Sequence, residues 1–509
     1  MTLTIILIYL AVVLMIGLAS HRLFRGTGED YFVATRSIGP FVLLMSLFGT
    51  HMTAFALLGA SGEAYHIGIG VFGLMASSSA VVVPAVFFFI GTRAWALGKK
   101  FGYLTQIQYF RDRWRSDSLG LLLFVVLTGF MVPYLLIGVL GGGLTMNQIT
   151  HGQVQAWVGG LLVCLVILCY VTFGGLRGTA WANTFQTLVF MVLGAVTFFI
   201  IMDSVGGLSN GLAKVAEAHP ELMIRGERVN RLMFASYMLI PLSVGMFPHI
   251  FMHWLSAKKA ETFHHTVIYY PICLAIVWIP SVLLGILGTS DFPGLAGGAA
   301  NSILVRMIGL HAPDILAGLL AAGVFAAIMS SLDSQVLSIG TMFTHDILAH
   351  YRFKDQMSER RQIWFGRLFV VLILLLTYAW SLVSNPSIFG LAIWSFTGFA
   401  GLLPVVVAAL FWRRSTKVGA ACATVTVLVS WAFFFARGWQ VPGYSVGQTG
   451  LMPIAVILGL SSLAMVLGSL LSTAPEAVVI AKFFKPNQAE RQSADPFTEH
   501  AGSGLKGTC

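Results

Sequence analysis

The chain has 509 residues, of which 57% are hydrophobic and only 10% charged, where an average globular protein carries roughly a quarter charged residues. That balance excludes a soluble catalytic domain and identifies an integral membrane protein. The net charge of +10 does not signal nucleic acid, because the basic residues lie in short loops between apolar runs rather than on one soluble face.

Runs of about 20 apolar residues are long enough to cross a bilayer. Thirteen are expected, at 2–20, 38–61, 67–92, 118–141, 153–174, 180–203, 232–254, 265–288, 312–343, 364–384, 387–411, 418–436 and 449–473. The first has no basic residue before it and Arg22 and Arg25 after it, the reverse of a signal peptide, so it reads as a retained helix. The five cysteines, an odd number lying mostly in apolar runs, do not suggest a disulfide framework. With the N-terminus outside, 24 of the 30 Lys and Arg fall on the inner side, which sets the expected orientation as N-out and C-in. Residues 1–473 form the membrane domain, and 474–509 read as a disordered cytoplasmic tail.

The second segment contains SLFGTHMTAFALLGASG (46–62), and the seventh contains SVGMFPHIFMHW (243–254). Glycine, proline and polar groups at mid-membrane depth predict a broken helix beside a cavity. Counted from the second segment, these are core helices 1 and 6, each heading a set of five, with inverted repeats at about 38–203 and 232–411. Paired interruptions at corresponding positions of inverted halves point to a secondary transporter's binding site.

The ninth segment carries AAIMSSLDSQVLS (326–338). At 100° per residue Ala327, Ser330, Ser331, Ser334 and Ser338 share one stripe, with Asp333 at its edge. A carboxylate at the centre of a spanning helix costs about 2.5–3.5 kcal/mol on insertion scales, and hydroxyl and carbonyl oxygens suit a hard cation. The same stripe also suits close helix packing, with each hydroxyl bonded to its own helix.

YVTFGGLRGTAWANTFQ (170–186), GMFPHI (245–250) and AAIMSSLDSQ followed by HDI (345–347) together resemble the sodium/solute symporter family, over residues 1 to about 473. The resemblance implies an all-α membrane fold with a LeuT-like five-plus-five inverted repeat, and Na⁺ as the coupling ion. It implies a sodium site made of the carbonyls of Gly49, Met52 and Ala327 and the hydroxyls of Ser330 and Ser331. Asn183 stands where relatives have a carboxylate, while Asp333 supplies one nearby, so a second cation site is expected at Asp333, Ser334 and Asn183. His51 replaces a frequent Asn or Asp and is a gating or pH candidate. Phe55 and Ala56 stand where sugar carriers have polar side chains, which argues against a hexose.

The segments MVPYLLIGVLGGG, FGYLT and GMFPHI look most similar to the monocarboxylate and pantothenate branch. The expected solute pocket is Thr53, Phe55, Ala56, Tyr65, Tyr134, Phe247 and Trp394. The expected function is Na⁺-coupled import of a small organic solute across the plasma membrane, with a Na⁺- or H⁺-coupled symporter of a proline-like amino acid as the alternative. A membrane sensor or a membrane-embedded enzyme are readings of another class. For the enzyme, His253, His264, His265 and Glu261 lack metal-ligand spacing and read as a solvated loop.

Overall fold

The structure is a computed structural model that describes residues 2–20, 36–226, 229–351, 359–384 and 386–484. Arg22, Arg25, the tail from 485 onward and most side chains of 170–177 lie outside the described residues. Among the described residues nine helices are long and apolar enough to cross a membrane singly, two bent pairs do so together, and there are two shorter apolar helices, Thr2–Ile16 and Ala156–Cys169. Eleven of the thirteen expected segments are thus long and apolar enough to cross, and the two shorter helices coincide with the first and fifth. Among the described residues there is no strand, only one isolated parallel bridge between Ile38 and Ala257.

The helices that build the centre are α1 (Thr2–Ser20), α2 (Pro40–His51), α3 (Ala60–Ile67), α4 (Gly70–Val86), α5 (Asp117–Ile149), α6 (Ala156–Ser204), α7 (Pro248–Ser256), α8 (Thr262–Asp291), α9 (Asp314–Met342) and α10 (Ile388–Gly401). α6 joins two expected crossings in one helical assignment. Ala156 nevertheless lies beside Gly143, while Ser204 Oγ is 2.8 Å from His311 Nδ1. Leu332 packs on Gly138 and Ile328 on Gly141, so α5 and α9 run antiparallel and Gly143 and His311 are at the same end of the molecule. α6 therefore crosses twice.

Both expected breaks are present, each with a local cause. α2 starts with Gly39 as N-cap and Pro40 in its first turn, where the missing N–H costs nothing. It ends at Met52, whose backbone is extended (φ −81°, ψ 112°). A π-helical turn, Phe55–Gly59, then leads into α3, and the two halves meet at 60°. In the seventh segment a 3₁₀ turn, Ile240–Gly245, gives way to Phe247 (φ −65°, ψ 119°) and Pro248, with a bend of 52°. Proline lacks the donor and pushes the preceding residue out of the helical region.

The half-helices α2 and α7 are strapped together. Ile38 N donates to Ser256 O at 3.1 Å, Lys258 N donates to Ile38 O at 3.0 Å, and Arg36 donates to Leu255 O and Tyr103 O. The expectation of a disordered tail from 474 is corrected in its first part: Ala477–Phe484 is a helix, α11. Phe483 packs on Phe101 and Tyr109, and the Arg113 guanidinium lies over Phe484. Two aromatic anchors on a short helix supply the apolar area that composition alone had not assigned to a partner.

Candidate ion and solute site

α9 faces the break in α2 with its serine stripe. Ser330 Oγ donates to Gly49 O at 2.9 Å and lies 3.1 Å from Ala327 O, which it also reaches as a donor. Three of the five expected sodium ligands thus come together across two helices. Met52 is fully buried at the extended residue that ends α2. Ser331, also buried, accepts from Gln335 Nε2 at 2.7 Å. Every member of the set offers oxygen, the donor type a hard cation takes.

Gly49 matters for more than its carbonyl. A Cβ there would come 2.0 Å from Thr187 Oγ1, the hydroxyl that donates to Met45 O at 3.0 Å. The missing side chain is what lets α6 lie against α2.

The residues of the expected second site also lie together. Asn183 Nδ2 donates to Thr50 Oγ1 and to Ser334 Oγ, each at 2.8 Å; Thr50 Oγ1 and Ser334 Oγ are 2.8 Å apart. Ser334 Oγ donates to Asp333 Oδ1 at 3.1 Å. All four residues are buried. Into this cluster comes a residue that sequence reasoning had placed in a solvated loop. His253 is fully buried, with Nδ1 2.7 Å from Ser46 Oγ and Nε2 3.2 Å from both Thr50 Oγ1 and Ser334 Oγ. It ties α7 to α2 and α9, while His264 and His265 lie away from it on α8. The signal available in the sequence was position: His253 is four residues after His249, on one face of a helix whose other residues are mostly apolar.

The solute candidates divide. Phe55 packs against Phe389, Phe396 and Trp278, with ring centroids 5.2, 5.3 and 6.5 Å away. Tyr134 and Phe247 are 5.2 Å apart and share Phe396. Thr53 and Ala56 are buried at the break, where Ala56 N donates to Thr53 O. His51 pairs with the Tyr270 hydroxyl and lies 6.2 Å from Phe247. A cavity of about 20 Å³ lies here, lined among others by His51, Met52, Phe55, Ser243, Trp278 and Phe396, room for one water.

Tyr65 and Trp394 do not join this group. Tyr65 donates to Phe292 O at 2.7 Å and accepts from Leu295 N at 3.0 Å, fastening the far end of α3 to the loop after α8. Trp394 packs on Phe435 and Tyr444, on the other face of α10. Among the described residues no cluster of three or more His, Cys, Asp or Glu could hold a metal ion.

Two broken helices, the first of them bonded at its break to a serine stripe, are the arrangement that the family resemblance implied. Residues 31–426 match the model of the sodium:solute symporter family. The chain belongs to that family. The Sodium/pantothenate symporter of Escherichia coli K12 is 29% identical over 500 residues, covering 93% of this symporter and 97% of that one. The Sodium/proline symporter of the same strain is 25% identical, covering 90% and 93%. Among solved structures, the substrate-bound outward-open state of a Na⁺-coupled sialic acid symporter superposes with a TM-score of 0.76 at 18% identity, covering 93% and 98%. The nucleobase-cation-symport-1 family transporter Mhp1, in a closed conformation, does so at 0.58 and 14%, covering 90% and 98%. At such identities these two likenesses establish the fold, the inverted-repeat architecture with two interrupted helices.

Proposed function

We propose that this symporter carries a small organic anion, a monocarboxylate or a pantothenate-like acid, inward across the plasma membrane together with Na⁺ by alternating access. The observation that carries the reading is the Ser330 hydroxyl held 2.9 Å from the Gly49 carbonyl, because it joins α9 to the break in α2 through two oxygens of the kind a hard cation takes. Sodium on Gly49, Met52, Ala327, Ser330 and Ser331 would hold those helices together and so favour the solute-binding form. By linkage, ion and solute then tighten each other's binding by the same factor. A second cation at Asp333, Ser334 and Asn183 fits an anionic cargo, whose charge one sodium only cancels.

The 25% identity to the proline relative over nearly the whole chain equally supports a proline-like amino acid as the solute. Uptake of labelled pantothenate, lactate and L-proline into proteoliposomes, with an imposed sodium gradient and with choline in place of sodium, separates the readings. Ser330→Ala should raise the sodium concentration for half-maximal uptake about tenfold, the effect of losing one charge-assisted contact. Uptake indifferent to sodium would end the proposal.

A further inference from the structure

α11 ends in Phe484, and three arginines crowd around its ring. The guanidinium carbons of Arg113, Arg93 and Arg413 lie 5.1, 5.8 and 5.9 Å from the ring centroid, and that of Arg93 also lies 5.0 Å from the ring of Phe411. A ring face attracts a cation, but three like charges on one ring repel each other and call for an anion. Among the described residues no carboxylate pairs with any of the three. Asp112, next to Arg113 in the chain, is held by Lys482, and Glu476, just before α11, by Arg115.

The three arginines are not equivalent. Arg113 is wholly buried, and the end of a helix meets its charge. Its Nε donates to Ala409 O at 3.2 Å, and its Nη2 to Trp412 O at 3.1 Å and to Ser415 Oγ at 3.0 Å. These acceptors close the helix Leu403–Phe411, at the negative pole of its dipole, and they fix the turn that carries Arg413. Arg93 and Arg413 have no such acceptors. Arg93 is half-buried, with its Nε shut away from water and unpartnered, and Arg413 is exposed beside it on the Phe484 ring. An arginine that merely snorkels to water would carry its whole head outward.

The wall below these two cations is apolar. Arg93 comes about one turn after the exposed Phe88 and Phe89, and Phe411 one turn after the exposed Val407. Both segments belong to helices long and apolar enough to cross a membrane, Gly70–Phe101 and Ile388–Phe411. The run that follows, FWRRSTK (411–417), has three basic residues and no acid. Guanidinium forks suit phosphate oxygens, and a basic pocket between spanning helices suits a lipid headgroup. A soluble phosphate would occupy the forks and leave the apolar wall unused.

We infer that Arg93 and Arg413, against the rings of Phe411 and Phe484, bind the headgroup phosphate of an anionic phospholipid whose acyl chains lie along Phe89 and Val407. Arg113 is a positioning residue behind them. The site shares no residue with the ion and solute site and does not depend on which solute is carried. Because Phe484 belongs to α11, the lipid also secures that helix, by neutralising the cations gathered around it.

The test uses the purified full chain in detergent, with dioleoylphosphatidylglycerol, dioleoylphosphatidylcholine and inorganic phosphate as probes. Native mass spectrometry should show phosphatidylglycerol retained about tenfold more tightly than phosphatidylcholine. The double variant Arg93→Gln, Arg413→Gln should lose most of that preference. Arg437→Gln, which removes a charge at the other end of the helix Lys417–Gly438, should keep it. A second measurement needs no variant: phosphatidylglycerol with a diazirine in one acyl chain should crosslink the unmodified protein within 86–93 and 405–413. Equal retention of the two lipids, an unchanged preference in the double variant, or crosslinks confined to other segments would each overturn the site. So would inorganic phosphate that raises the unfolding midpoint as much as phosphatidylglycerol does, since it would give the arginines a soluble ligand in place of a lipid.

Discussion

Gly49 supplies a carbonyl to one neighbour and an empty space to another. Its oxygen accepts from Ser330, and its missing Cβ makes room for Thr187 Oγ1. Gly49→Ala should therefore weaken sodium activation by moving the carbonyl, even though no ligand atom is deleted. Adding Thr187→Ala removes the 2.0 Å clash and should restore much of the sodium affinity, a non-additivity expected of touching residues. The serine stripe was legible because a 100° periodicity needs only local sequence. His253 was not, since its partners Ser46, Thr50 and Ser334 are 207, 203 and 81 positions away. His253→Ala would take a partner from three buried hydroxyls, Thr50 and Ser334 keeping each other and Asn183, so the main cost is the Ser46 hydroxyl, about 1–3 kcal/mol. A lowered midpoint of thermal unfolding in detergent, with a smaller sodium-dependent rise, is the expected readout.

Elements broke where the chain's chemistry required it. Pro248 and the glycine and polar residues around Met52 announced interruptions that the structure places at 52° and 60° bends. Aromatic residues gave no such guidance, because a sequence does not say which face of a helix meets the cavity: Phe55 and Phe247 turn toward the breaks, Tyr65 and Trp394 away from them. The strap between α2 and α7 was likewise invisible, since it is made by backbone atoms. It makes the two half-helices one mechanical unit, which should move together against α9. Lys258→Pro deletes the donor to Ile38 O, removing a hydrogen bond worth about 1 kcal/mol net. Hydrogen exchange of the amides at 37–41 and 255–258 should then accelerate together, while that of α9 stays unchanged; acceleration on one side only would show that the halves move separately.

For the whole molecule, the apolar spans could be read from hydropathy because a bilayer demands long apolar helices, whereas α11 escaped notice because eight residues carry too little pattern. The transport stoichiometry belongs to this scale. One positive charge moving inward gains about 2.3 kcal/mol per 100 mV, and a tenfold sodium gradient adds about 1.4 kcal/mol. A monovalent anion carried with one sodium cancels the electrical part and could be concentrated only about tenfold. A second cation would restore it, and in the proposed second site the buried carboxylate of Asp333, bonded to Ser334 and through it to Asn183, would hold it. Uptake of an acid should therefore speed up under an inside-negative potassium diffusion potential set with valinomycin. Asp333→Asn keeps the shape but removes the charge, and it should abolish that voltage response while sodium dependence at the Ser330 site remains. An acid uptake insensitive to voltage in the unmodified protein would mean one sodium per anion and no second cation.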